Sequence, residues 1–163
     1  MADPLVAVVM GSGSDWDTMR HCAEQLRELR VPFETRVLSA HRTPEELVSW
    51  VRDAEGRGVE VFVAAAGMAA ALPGVVAAHT TLPVLGVPMD SKLSGLDSLL
   101  SMVQMPAGVP VGTLAVGRAG AVNAAILATQ ILAGRHEGFR EAVADHRRRQ
   151  AEKVLAEPDP SGG

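Results

Sequence analysis

The chain carries a single cysteine, Cys22, among its 163 residues. No internal disulfide can form, no thiolate cluster can hold a metal, and the usage fits a reducing compartment. Tyrosine is absent, and three Phe and two Trp are the only aromatics, which leaves no platform for stacking single-stranded bases. Basic residues are not in excess: the net charge is −4, so nucleic acid is not an expected partner. No apolar run approaches the roughly 20 residues of a membrane helix. The opening MADPLVAVVMGSG lacks the basic flank and long apolar core of a secretory signal. The five histidines include no HxxxH-type pair, so no metal site is expected.

What is present is a globular composition, with 47% apolar and 21% charged residues. One domain over 1–163 can bury a real core at this length. There is no internal repeat and no low-complexity tract. Short β-branched runs alternate with helical segments. The strands are expected at 5–10, 33–39, 59–66, 82–87 and 111–116. After the first, Trp16, Met19, Ala23, Leu26 and Leu29 fall on one helical face. After the second, Thr43 reads as an N-cap, Pro44 as the first helical residue and Glu46 as the far side of a capping box. VNAAILATQILA should pack closely through its small residues, in the core or against another subunit. A polar C-terminal helix is expected at about 136–156, before PDPSGG. There His136 and His146, like His21 earlier, read as solvated, and DHRRRQ as a surface face.

This β-α alternation predicts a three-layer α/β/α sandwich around a mostly parallel five-stranded sheet. In such sheets ligands bind beyond the C-terminal strand ends. Four loops should therefore hold any chemistry. The first, Gly11-Ser12-Gly13-Ser14-Asp15, offers a tight glycine turn, backbone N–H groups and two hydroxyls for a phosphate. Asp15 there can accept from ribose hydroxyls. A plain Ser/Asp helix cap explains the same residues. The second, Ser39-Ala40-His41-Arg42, sets an anion clamp beside a side chain that exchanges protons near neutrality. Alternatively, His41 caps a carbonyl and Arg42 is solvated. The third, 66–74, has no ionisable group, and its small residues allow close approach of backbone to a ligand or only tight helix–sheet packing. The fourth contains Asp90, Ser91 and Lys92 near Gly95, read as a flexible residue of a lid or of a solvated loop.

MGSGSDW, SAHRTP, LPG, LPVLGVP, GLDSLLSMVQMPAGVPVGTLAVG, AGAVNAAILATQILA and a terminal EPDP occur in one order. In this the chain resembles the bacterial class I N5-carboxyaminoimidazole ribonucleotide mutases of purine biosynthesis, over roughly residues 5 to 160. The resemblance implies a flavodoxin-like (Rossmann-like) fold and a cytoplasmic homo-octamer with sites between subunits. Its ligands would be a ribonucleotide and carbon dioxide, with no cofactor, no metal, no nucleic acid and no membrane. By that likeness His41 matches the catalytic proton carrier. Ser12, Ser14 and Arg42 match phosphate contacts, and Asp15 matches the ribose-diol contact. Ser39, Ala40, Gly67, Met68, Ala71 and Leu72 complete the substrate site, under a lid of Asp90, Ser91 and Lys92.

The chain departs from the family pattern in its third loop, which in the family reads AGAGGAAHLPG. Here residues 64–74 are AAAGMAAALPG. Ala65 and Met68 stand where glycines are usual, and Ala71 where a histidine is. His79 replaces a usual lysine, Asp90 a usual glutamine, and the SKLSG stretch is one residue short. The family mutase reaction is therefore one expectation. A decarboxylase or carboxylase of another heteroaromatic ribotide is a second. A ribotide-binding homologue without activity is a third. A flavin carrier is remote, because the aromatic residues that would flank the ring are missing.

Overall fold

The computed structural model describes residues 3–157. The chain runs β1 (Val6–Met10), a 3-10 turn at Gly13–Asp15, α1 (Trp16–Glu28), β2 (Phe33–Val37), α2 (Pro44–Gly56), β3 (Val61–Ala66) and α3 (Leu72–His79). It continues through β4 (Val84–Pro88), α4 (Leu96–Val103), β5 (Gly112–Thr113), α5 (Arg118–Leu132) and α6 (Glu137–Leu155). The five strands form one sheet in the order β2-β1-β3-β4-β5, with every described pairing parallel. Val6 stands beside Phe33 on one side and Val61 on the other. The predicted three-layer sandwich is thus the observed one. The EPDP segment, from residue 158 on, lies outside the described residues.

Alternation along the strands divides the core into two layers. Val6, Val8 and Met10 pack with Met19, Cys22 and Leu26 of α1 and with Ala121, Ala124 and Ala128 of α5. Ala7 and Val9 face the other way, against Leu47, Trp50 and Val51 of α2 and Val76 of α3. β1, β3 and β4 are buried along their whole lengths, as a sheet covered on both faces requires. The alanines of α5 let it lie close against α1, the tight packing that VNAAILATQILA implied.

Several local expectations are corrected. Trp16 starts the α1 face but stays 39% exposed, beyond the rim of the core. β5 pairs only over Gly112–Thr113 instead of 111–116. Pro110 brings no N–H to the ladder. Past Thr113 the chain holds β4 through separate bonds, Leu114 N–H to the Gly86 carbonyl (2.9 Å) and Gly117 N–H to the Pro88 carbonyl (2.8 Å). Thr43 precedes α2 and Pro44 begins it, yet the Thr43 side chain makes no capping bond and no capping box with Glu46 forms. Its hydroxyl is already engaged by Ser39. His146 is buried, its Nδ1 3.4 Å from Gln25 Nε2 and 3.5 Å from Glu28 Oε1. It is not the solvated residue its polar neighbours suggested.

Candidate functional site

Because all strands run parallel, the loops after β1, β2, β3 and β4 emerge at one end, where α1 to α4 begin. Helix N-termini there present unpaired N–H groups and a positive dipole end.

In the first loop Ser12 caps the 3-10 turn. Its Oγ accepts from the Ser14 N–H (3.3 Å) and the Ser14 hydroxyl (2.9 Å), while Asp15 Oδ2 accepts from the Ser12 N–H (3.2 Å). The cap reading of this loop therefore holds, and the same residues gather two hydroxyls and a carboxylate at the strand end. Burial pushes the Asp15 carboxyl upward, partly offset by the Ser12 N–H and the Arg42 charge. Neither Gly11 nor Gly13 adopts a positive φ, and a Cβ on either would meet nothing within 4 Å. The turn itself does not require glycine; small size keeps space open above the loop.

The second loop is tied to itself and to the first. The Ser39 N–H donates to Thr43 Oγ1 (2.9 Å), and the Thr43 hydroxyl returns a bond to the Ser39 carbonyl (3.2 Å). The Arg42 N–H and Nε–H donate to Ser39 Oγ (3.2 and 3.3 Å), and Nη2 donates to the Gly11 carbonyl (2.8 Å). The guanidinium is thus held in place, with its Nη1 group left over for an anion. His41 is exposed, and among the described residues its ring makes no hydrogen bond. It does not cap a loop carbonyl.

The third loop turns sharply at Met68. Its φ is +56°, a left-handed value that favours glycine. The side chain is 70% exposed. The Ala70 N–H donates to the Met68 carbonyl (2.8 Å), and Leu72–Pro73 then open α3. In the fourth loop the Ser91 hydroxyl donates to Asp97 Oδ1 and accepts from the Leu93 and Gly95 N–H groups (3.1 Å each). That bond draws the Asp97 carboxyl below its ordinary value. Gly95 is not the flexible residue expected. It is buried at φ +77°, and a Cβ there would lie 2.4 Å from Val116 Cγ1. Asp90 and Lys92 are exposed.

These four loops enclose a cleft of about 600 Å³. Ser12, Ser14 and Asp15 line one side, with Ser39, Ala40, His41 and Arg42 beside them. Gly67, Met68, Ala71 and Leu72 form the opposite wall, with Asp90, Ser91 and Lys92 at the edge. Every site residue predicted from sequence reaches this cleft. The sequence reading placed Gly11 in the first loop without seeing that its carbonyl anchors Arg42, and it passed over Met89, which adds to the wall. It also passed over Ser98 and Ser101 of α4, which bond Met68 from behind. Only their place in the SLLSM segment hinted at them. A second, more open depression on α2, lined by Glu45, Ser49 and Arg52, brings no strand ends together. Chemically, the cleft pairs an anion-binding and diol-accepting side with an apolar side, and His41 supplies a titratable ring.

Comparison with known proteins agrees with this geometry. A family model described as AIR carboxylase matches residues 5–153. The N5-carboxyaminoimidazole ribonucleotide mutase of Pseudomonas aeruginosa is 59% identical over 96% of this chain and 96% of its own. The proteins of that name from Escherichia coli K12 (55%; 96% of this chain, 94% of that protein) and Bacillus subtilis (52%; 96% and 97%) are similar throughout. The crystal structure of Treponema denticola PurE superposes with a TM-score of 0.86 at 27% identity, covering 94% of this chain and 96% of that one. A match that extends through all the strands and all four loops leaves one conclusion: the chain belongs to the AIR carboxylase family.

Proposed function

We propose that this chain interconverts N5-carboxyaminoimidazole ribonucleotide and 4-carboxyaminoimidazole ribonucleotide in purine biosynthesis, with His41 as the proton carrier. The observation that carries the proposal is the meeting of Ser12, Ser14, Asp15, His41 and Arg42 on one cleft, in a chain more than half identical to proteins named for that mutase.

In this reading the phosphate rests against Arg42, Ser12 and Ser14, and the ribose diol donates to Asp15. The base then lies toward the apolar wall of Gly67, Met68, Ala71 and Leu72. His41 gives a proton to the exocyclic nitrogen as its bond to the carboxylate carbon breaks, which releases carbon dioxide and the free amine. C4 attacks the trapped carbon dioxide, and His41 takes back the proton that C4 loses. The proton account closes on one imidazole, and the step requires no oxidant or cofactor. Holding gas and amine together replaces a bimolecular encounter with a local one. In the same reading Asp90, Ser91 and Lys92, at the edge of the cleft, act as its lid.

A cytoplasmic homo-octamer belongs to the same reading. Leu96, Leu100 and Val103 of α4, with Leu93 just before it, make an exposed apolar stripe, which a second copy of this chain would cover. Among the described residues no helix is long and apolar enough to cross a membrane. The matched relatives bearing the mutase name give no support to a changed ribotide or to an inert binder.

The test is ultraviolet absorbance with each carboxylated ribotide. Interconversion is expected; release of free aminoimidazole ribonucleotide without recapture overturns the mutase reading. His41→Asn should lower turnover by about 10²–10⁴-fold and shift ribotide affinity by less than about threefold, since phosphate and diol contacts stay in place.

A further inference from the structure

We propose that Ser98 and Ser101 are positioning residues for the reaction: from α4 they hold Met68 in its left-handed backbone and so set the apolar wall of the cleft. The inference rests on the mutase reading for its kinetic consequences, though not for its geometry.

Met68 is one of three non-glycine residues with positive φ among those described. Such a backbone is disfavoured for a side chain with a Cβ and persists where the surroundings over-determine it. Here the surroundings are two hydroxyls of α4, beside the Ala70 N–H that also donates to the Met68 carbonyl (2.8 Å). The Met68 N–H donates to Ser98 Oγ at 2.9 Å, and the Met68 carbonyl accepts from the Ser101 hydroxyl at 3.2 Å. Both backbone polar groups of Met68 are therefore met by residues three apart on a single helix face. Ser98 is fully buried, so its oxygen has no water to exchange for that N–H. The Ser101 proton is divided between the Met68 carbonyl and the Asp97 carbonyl (2.7 Å), which makes Ser98 the firmer anchor.

The same helix also grips the fourth loop. Asp97, the neighbour of Ser98, accepts the Ser91 hydroxyl. Loops three and four, which border the base side of the cleft, thus share one support. The phosphate and ribose side, on loops one and two, makes none of these bonds. Loosening Ser98 should therefore impair the chemical step, which needs the base and carbon dioxide confined, more than it impairs ribotide capture.

The experiment has two arms. In the free protein, amide hydrogen exchange at Met68 should quicken by about tenfold or more in Ser98→Ala, and less in Ser101→Ala. In steady-state kinetics Ser98→Ala should lower kcat about tenfold with KM within about twofold. Adding Met68→Gly should restore kcat to within about threefold of the Met68→Gly single variant, because glycine takes the left-handed turn unaided. Unchanged exchange in Ser98→Ala overturns the proposal. So does a double variant that loses as much as Ser98→Ala alone. If Ser98→Ala folds poorly, the exposed Ser101→Ala carries both arms, with about threefold effects expected and no effect in either overturning the proposal. A wild-type chain inactive on both ribotides would sink the mutase reading, while the exchange arm would still decide whether the serines hold the loop.

Discussion

A Cβ on Gly120 would sit 1.7 Å from the Ala115 carbonyl oxygen and 2.7 Å from its carbon. Nothing there is the loose end of a side chain, so the first turn of α5 or the 114–117 segment would have to move. Gly120→Ala is expected to cost about 3 kcal/mol or more, at the upper edge of overpacking effects. Gly13→Ala, whose Cβ meets nothing within 4 Å, should stay within about 0.5 kcal/mol of wild type. Urea midpoints at constant m-value compare the two; equal midpoints would contradict the close approach. Nothing in AGAVNAA marks Gly120 as the tight one. The sequence draws the eye to Gly11 and Gly13, which have room to spare. Met68 was legible by a different route. Against the family pattern it stands in a glycine's place, and its φ of +56° is the backbone that glycine would serve. A residue's steric need depends on what approaches it from elsewhere in the chain, and single-sequence reading sees that only through a known family.

Helix boundaries and faces were legible where apolar periodicity marked them and obscure where polar contacts did the joining. α6 is the clearest case. Its polar sequence hides a seam in which His146 is buried against Gln25 and Glu28, and Arg149 Nη2 donates to Glu28 Oε1 at 2.8 Å. A period count scores none of those groups. At the start of α2 the capping pattern was present, but Ser39 had already engaged the Thr43 hydroxyl. The α1–α6 seam has a consequence in acid. The Arg149 hydrogen bond, helped by His146, holds the Glu28 carboxyl below its ordinary value of 4.5 despite some burial. A carboxylate with a depressed folded-state pKa adds stability above its unfolded value, and that stability is lost as the pH falls through the folded value. The loss therefore belongs below pH 4.5. Glu28 is about half exposed, so screening limits its worth to about 0.5–1 kcal/mol. Glu28→Gln should be less stable than wild type at pH 7, and the gap should narrow progressively as the pH falls below 4.5. Urea midpoints across that range measure it; a gap that persists in acid would assign the effect to packing.

At the scale of the molecule, one topological fact does most to locate the site. Parallel strands in the order β2-β1-β3-β4-β5 send four loops to one end, and alternation along β1 splits the core between two helix layers. The alternating sequence pattern carries that much, which is why the cleft could be located before its geometry was known. The same layering makes a whole-molecule probe of Cys22. It faces inward from α1 with no exposed surface, in the layer shared with α5. Burial alone pushes its thiol up to about 12, so the thiolate that an alkylating reagent needs is scarce and out of reach. Native labelling must wait for α1 to leave the sheet. Because α1, α5 and the strands share one apolar cluster, detaching α1 alone would strip the sheet of half its cover on that face. Alkylation of Cys22 should therefore report global unfolding. Opening free energies from labelling rates at several urea concentrations should follow the slope of the circular dichroism transition and reach its intercept. A distinctly shallower slope would mean that α1 detaches as a separate unit, and the two-layer core would not be a single cooperative body.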